Sequence, residues 1–275
     1  MRPSQAIIDL TALRANVQHI RTYAPFQQLM AVVKADAYGH GIIRVAQAIE
    51  SLVDAFAVSC LDEAIKLREA GIQRPIILLE GFFHPDELPF IVQHHLQIVL
   101  HTPFQVEQLL KATLPKPIDL WLKVDTGMHR LGFSPEEIQT IYSKLRRHAT
   151  SGHATIRLMS HLACADDSQD SKTQQQTQRF FTLANSFNIE TSLANSAGII
   201  GWSQTHGHWV RPGIMLYGVS PFPNRTGIEE GLQPVMRLQS ALISIKHYSP
   251  GETIGYGATW RCPENMPVGV VAIGY

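Results

Sequence analysis

The sequence predicts an α/β protein: a (β/α)8 barrel of the TIM type followed by an incomplete, mostly β C-terminal domain. Three observations lead there. Short apolar runs alternate with helix-patterned segments about eight times between residues 11 and 225, and strands separated by helices pair in parallel. After the Pro/Gly-rich SPFPNRTG (220–227) the texture changes to small, apolar and polar residues in alternation, without a helical period. The GHG at 39–41 lacks a third glycine at the dinucleotide-binding spacing, which argues against a doubly wound open sheet.

The elements follow in order. TALRANVQHIRTYA (11–24) opens with Thr11 as a cap and sets Leu13, Val17 and Ile20 on one helical face. Strand 28–34 leads to helix 41–50, and strand 55–60 to helix 61–71, which closes on Gly71. Strand 75–80 precedes helix 85–95. Strand 96–100 precedes helix 102–112, where Pro103 occupies a favoured first-turn position. Strand 118–125 is paired with helix 134–148, strand 155–163 with helix 170–187, and strand 190–196 with the short segment 197–202. HWVRPGIMLYG (208–218) supplies the last strand, and the Gln-rich patch at 174–178 reads as a solvated helix face. The barrel domain is assigned to 11–225. Residues 1–10 and 226–275 form the second domain, with antiparallel strands joined by a Pro-Gly turn at 250–251. The chain closes on PVGVVAIGY, a strand-like run, so further chain is expected to complete that domain.

Bulk properties exclude several functions. Lys plus Arg and Asp plus Glu both number 23, so the net charge is zero and no nucleic-acid partner is expected. No apolar stretch approaches a membrane span, and MRPSQAIIDLTALRAN carries no signal-like apolar core. Cys60, Cys164 and Cys262 are scattered, which suits neither a disulfide framework nor a zinc ribbon. A cytoplasmic protein is expected. The histidines at 94–95 and in HGH (206–208) lack a ligand-spacing motif, so no metal is expected.

In a barrel the C-terminal strand ends carry the chemistry. Those ends offer Lys34 and Tyr38, Lys123 with TGMHR beyond it, His161, Asn195-Ser196, and VRPGI. Met30, Val32 and Lys34 share one strand face, which would bring the Lys34 amine into the mouth behind an apolar wall. A surface lysine is the alternative; a desolvated one has a lowered pKa and serves as nucleophile or base, including toward pyridoxal phosphate. A phosphate would find the Ser196 hydroxyl and the N–H groups of Gly213 and Ile214. Arg211 stands ready for a ring nitrogen, unless RPG is only a turn. Lys123 shares a strand face with Trp121 and Asp125, and a simple pair with Asp125 is one way to accommodate its charge.

Six segments, AVVKADAYGHG, LKVDTGMHRLGF, MSHLACAD, LANSAGII, VRPGIMLYG and IGYGATW, occur in the family order and together resemble the signature segments of alanine racemases. The resemblance implies a pyridoxal 5'-phosphate enzyme, built as a barrel plus a β-domain, that interconverts L-alanine and D-alanine and supplies D-alanine for peptidoglycan. By matching position, Lys34 would hold the cofactor and act as one of two bases. Tyr38, Ser196, Gly213 and Ile214 would contact its phosphate, Asn195 and His161 would belong to the cofactor site, and Arg211 would face the pyridine nitrogen. Arg130 would bind the substrate carboxylate or the cofactor's phenolic oxygen, oriented by a carbamylated Lys123. Tyr256 would be the second base, reaching the site across a homodimer interface, with His161 and Arg211 as the cationic network that a phenol base needs; a strand tyrosine packed at a β-turn is the plainer reading. The alternatives are a broader amino-acid racemase, a fold-related decarboxylase, a single-barrel pyridoxal-phosphate carrier, and a cofactor-binding but inactive fragment.

Overall fold

The computed structural model describes residues 3–149 and 155–274. The chain divides into two compact units, Leu10–Val235 and a smaller one made of Met1–Asp9 with Met236–Tyr275.

The larger unit is a closed barrel of parallel strands. Strand β1, Gln5–Ile8, belongs to the smaller unit, so the barrel begins after helix α1, Leu10–Tyr23. Its strands are β2 (Gln28–Val32), β3 (Ala55–Val58), β4 (Ile76–Leu78), β5 (Leu96–Leu100), β6 (Leu120–Lys123), β7 (Ile156–Met159), β8 (Thr191–Ser192) and β9 (Trp209–Val210). They pair in sequence order, and β9 closes on β2 through Gln28 opposite Trp209 and Leu29 opposite Val210. Helices α2 (Ile42–Ile49), α3 (Leu61–Glu69), α4 (Leu88–Gln93), α5 (Pro103–Lys111), α6 (Pro135–Ala149), α7 (Lys172–Ala184) and α8 (Ser196–Gly201) fill the crossovers. Period-two alternation sends Met30, Val32, Ala55, Ala57, Ile77, Val99, Trp121, Met159 and Trp209 to the inside, where they form one buried cluster. Each large apolar side chain buried there contributes about 1.5–3 kcal/mol, and Trp121 meets Trp209 edge to face at 5.8 Å.

The strands are shorter than the apolar runs suggest, because the ladder stops where each chain turns into its loop. The barrel unit also extends beyond the expected boundary near residue 225. Residues 226–235 fold back onto it: buried Asn16 on α1 donates to Leu216 O at 3.0 Å and to Gln233 O at 2.8 Å, while its own Oδ1 accepts from Gln233 N–H at 2.7 Å. The Gln-rich patch is only partly a solvated face. Thr173, Gln176, Thr177 and Phe180 fall on the inward stripe of α7, and Gln176 is 1 % exposed.

In the smaller unit β1 pairs antiparallel with β10, Met236–Gln239. Strand β11 (Leu242–Tyr248) pairs with β14 (Met266–Val271), and β12 (Thr253–Ile254) with β13 (Trp260–Arg261). The Pro250-Gly251 turn therefore links β11 to β12 without making them partners of each other. Among the described residues no helix is long and apolar enough to cross a membrane.

Candidate active site

At the C-terminal ends of the barrel strands the larger unit encloses a cavity of about 750 Å³, lined by Lys34, Tyr38, Glu80, Lys123, Arg130 and His161, and by Asn195, Ser196, Arg211, Gly213 and Ile214 among others. Four cations line it, Lys34, Lys123, Arg130 and Arg211, against the two carboxylates of Glu80 and Asp166. The site therefore favours an anion.

Its first wall is a turn of the left hand. Strand β2 is pinned to its end by Val32 N–H donating to Pro212 O at 3.0 Å and Val33 N–H to Ala57 O at 2.9 Å. From Lys34 the chain then runs through Ala35, Asp36, Ala37 and Tyr38 with φ between 52° and 55°. Such a conformation costs an L-residue about 1–2 kcal/mol, so the turn persists only where its surroundings over-determine it. Glu63 supplies one staple: Oε1 accepts the Ala35 N–H at 2.6 Å, and Oε2 accepts the Ser59 N–H and hydroxyl at 2.9 Å each. Asp36 Oδ1 accepts the Ile42 N–H at 2.8 Å, tying the turn to α2. Gly39 (φ 83°) and Gly41 (φ 92°) complete it with backbone that only glycine adopts freely.

Lys34 lines the cavity but is only half-buried, because β2 ends at Val32 and leaves it on the turn. The desolvated lysine is Lys123 instead. It is the last residue of β6, shares the inward face with Trp121, and is 8 % exposed. Burial, then the charges of Arg211, Arg130 and Lys34, lower its pKa to about 8, with Glu80 opposing the shift. A Lys123–Asp125 pair does not form. Asp125 turns to its own loop, accepting the N–H groups of Gly127 and His129 at 3.0 Å each and meeting the His129 ring at 3.1 Å. That loop returns through Phe133 N–H to Lys123 O at 2.9 Å and brings Arg130 to the cavity wall.

The burial of Lys123 has a pH signature. With a folded pKa near 8 and an ordinary value of 10.5, the charge is penalised in full below pH 8, and the penalty fades as pH rises to 10.5. A shift of this size corresponds to about 3 kcal/mol. In CO2-free buffer, Lys123→Met is expected to unfold at higher urea concentration than the parent at pH 7, with the difference closing by pH 10.5. A less stable variant at pH 7 contradicts an uncompensated Lys123 charge.

Arg211 and His161 form the floor. Arg211, buried, donates from Nη1 to Ser192 Oγ at 2.6 Å and from Nη2 to Ser160 O at 2.5 Å and Leu193 O at 3.2 Å. Burial lowers its pKa to about 10, so it stays charged at neutral pH. Its Nη2 also meets His161 Nδ1 at 3.3 Å. An arginine can only donate, so Nδ1 holds the lone pair and the His161 proton sits on Nε2. Burial and the charges of Arg211, Lys123, Arg130 and Lys34 push His161 well below the ordinary histidine range, which keeps it neutral. Among the described residues Arg211 has no carboxylate partner, and its Nε–H has no protein acceptor.

The opposite wall is a small cup. Ser196 Oγ accepts the N–H groups of Gly213 at 3.0 Å and Met215 at 3.4 Å, which leaves its own proton free to donate into the cavity. A Cβ on Gly213 would stand 2.8 Å from the Tyr38 hydroxyl, so glycine is what lets Tyr38 approach. Asn195 lines the cavity, but its Oδ1 is engaged in capping α8 through the Gly198 N–H at 3.0 Å. Tyr256 belongs to the smaller unit. It sits after Gly255 (φ 76°) in a short 3-10 turn and is 96 % exposed, so it is not packed at its turn. Among the described residues no group of three metal-ligating side chains is assembled.

Residues 8–221 match the family model described as alanine racemase, N-terminal domain, and residues 235–275 match alanine racemase, C-terminal domain. This chain belongs to the alanine racemase family. It is 50 % identical over 275 residues to an alanine racemase of Pseudomonas syringae pv. syringae, covering all of this chain and 76 % of that protein. It is 47 % identical over 274 residues to one of Halorhodospira halophila, covering 75 % of it. The crystal structure of the biosynthetic alanine racemase from Pseudomonas aeruginosa superposes with a TM-score of 0.94 at 41 % identity, covering 100 % of this chain and 76 % of that one.

On this alanine racemase fold, the barrel brings ten of the expected residues together: Lys34, Tyr38, Lys123, Arg130, His161, Asn195, Ser196, Arg211, Gly213 and Ile214. Sequence reasoning missed Glu80, Ser192, Met215 and Gln176. Gln176 donates to Thr126 Oγ1 at 3.2 Å and His161 O at 2.9 Å and accepts the Ala163 N–H at 2.9 Å, joining the Arg130 loop to the His161 loop. Polar residues at helical core spacing in KTQQQTQRF carried that signal.

Proposed function

We propose that the cavity holds pyridoxal 5'-phosphate on Lys34 and that the protein interconverts L-alanine and D-alanine by two-base proton transfer, supplying D-alanine for peptidoglycan. Membership of the alanine racemase family, matched over both domains, carries the reading. The residues present suit the cofactor: an amine at the mouth, a Ser196 hydroxyl held by the Gly213 and Met215 N–H groups with Ile214 and Tyr38 beside it, and the Arg211 guanidinium for a ring nitrogen. The C-terminal-domain match disfavours a single-barrel carrier.

Bound there, the cofactor supplies an electron sink that acidifies the substrate Cα–H. The protein does the rest. Arg211 keeps its own proton at neutral pH and so has none to give the ring nitrogen. Arg130 binds the substrate carboxylate or the phenolic oxygen of the cofactor. Lys123, lowered toward neutrality, has the free-amine character that carbamylation by CO2 requires, and the resulting anion would relieve its buried charge and orient Arg130. Lys34 Nζ moves a proton on one face of Cα, and the Tyr256 hydroxyl moves one on the other from the partner subunit of a homodimer. Two acid–base groups on opposite faces permit either enantiomer as product, whereas one would return the proton to its own side. The three cysteines, all free, suit the reducing cytoplasm.

Chiral chromatography after incubation with added pyridoxal phosphate tests the reading. Pure L-alanine and pure D-alanine are each expected to converge on the racemate; absence of interconversion by the cofactor-loaded protein overturns it.

A further inference from the structure

Tyr217 has no part in the chemistry above, yet it is 2 % exposed beneath the turn that follows Lys34. Its ring lies 5.0 Å from that of Tyr38 at an interplanar angle of 32°, and the His40 imidazole stacks on it at 4.4 Å and 27°. The Tyr217 hydroxyl donates to Val32 O at 3.1 Å, which fixes the phenol to the last residue of β2. His40 Nδ1 lies 3.0 Å from Ala37 O and 3.1 Å from Tyr38 O. Carbonyls only accept, so Nδ1 carries the proton and clips the left-handed turn closed from its far end.

The consequence falls on Tyr38. A left-handed run of Ala, Asp, Ala and Tyr has no intrinsic preference for its own shape, so neighbours must decide where the Tyr38 ring stands. Glu63 holds the start of the run and His40 the end, while the Tyr217 ring supplies the surface on which Tyr38 rests. That arrangement delivers the Tyr38 hydroxyl to the edge of Gly213, beside the Ser196 cup. Tyr217 also lies on GIMLYG, the same short segment whose Gly213 and Met215 N–H groups hold the Ser196 hydroxyl. The ring that supports Tyr38 and the backbone that holds the Ser196 hydroxyl are thus on one piece of chain.

We propose that Tyr217 and His40 are positioning residues that hold the Tyr38 hydroxyl at the cup, so that recognition of the cofactor's phosphate depends on this aromatic pair. The inference rests on the reading of the cup as the phosphate site.

Titration of the stripped protein with pyridoxal phosphate and with pyridoxal, which lacks the phosphate, separates positioning from simple packing. Tyr38→Phe is expected to weaken pyridoxal phosphate about tenfold, as loss of one hydrogen bond to a charged group does, and to leave pyridoxal unchanged. Tyr217→Leu is expected to match that loss, and His40→Ala to show a smaller loss of about threefold, both confined to the phosphorylated ligand. Tyr217→Phe keeps the ring and is expected to retain most of the affinity. In a Tyr38→Phe background neither Tyr217→Leu nor His40→Ala should cost anything further. Equal losses for both ligands, or losses that persist without the Tyr38 hydroxyl, overturn the proposal. His40 is partly exposed, so its variant decides the matter if Tyr217→Leu fails to fold. A loss in Tyr38→Phe with none in His40→Ala and Tyr217→Leu overturns the proposal alone. No loss in Tyr38→Phe overturns the phosphate role of Tyr38 along with it.

Discussion

Lys34→Ala is expected to lose the visible absorption that marks the cofactor joined to a protein amine, and to racemise alanine slower by a factor on the order of 10³–10⁴ or more. On the proposed reading two functions go with one side chain: the covalent attachment and the proton carrier on one face of Cα. The other cavity lysine is poorly placed to substitute. In the closed strand order β2 and β6 lie opposite each other, so Lys123 approaches from across the mouth. It is also held as the terminal residue of a buried strand, whereas Lys34 stands half-buried at the start of the turn and lines the cavity. The check is an absorption spectrum of the variant with added pyridoxal phosphate beside a racemisation assay. A band that persists transfers the attachment to another amine, and Lys123→Met in the same background would then identify it.

Tyr256→Phe is expected to divide the reaction. The ring and its exposed setting remain, and only the acid–base hydroxyl is lost. Solvent exchange at Cα of one alanine enantiomer should fall by about 10²–10⁴-fold, the usual worth of a positioned acid–base group, while exchange from the other, assigned to Lys34 on the proposed reading, continues. Proton NMR of each enantiomer in deuterated water reads both rates. Equal retention of the two removes Tyr256 from the mechanism, and equal loss makes it a general support of the site rather than the base for one face.

Much of the fold was legible because period and punctuation agreed. Strand-like runs bounded by caps and glycines gave the barrel in order, and VRPGIMLYG and LANSAGII marked the cup by their small residues at strand ends. The turn after Lys34 was not legible in detail. Its glycines announce a tight bend, but nothing in Ala35-Asp36-Ala37-Tyr38 favours positive φ; Glu63, His40 and Tyr217, distant or apparently incidental in sequence, impose it. The assignment of the desolvated lysine went to Lys34 for a related reason. An apolar run does not say where its ladder ends, and the two-residue difference between Val32 and Lys34 moves the amine from a strand face to a half-open turn. Lys123 is still inside its strand, so it carries the burial instead. Gln176 shows the converse error: a polar residue in a polar tract was read by composition, although its helical spacing from Thr173 and Phe180 placed it inward.

The most direct test follows L-alanine in deuterated water with the cofactor-loaded protein, reading both the chirality and the Cα isotope of the product. D-alanine is expected to appear carrying deuterium at Cα, because the proton removed on one face and the one delivered on the other belong to different groups that each exchange with solvent. D-alanine that retains the original Cα protium, passed from face to face by a single carrier, would contradict two-base catalysis at this site.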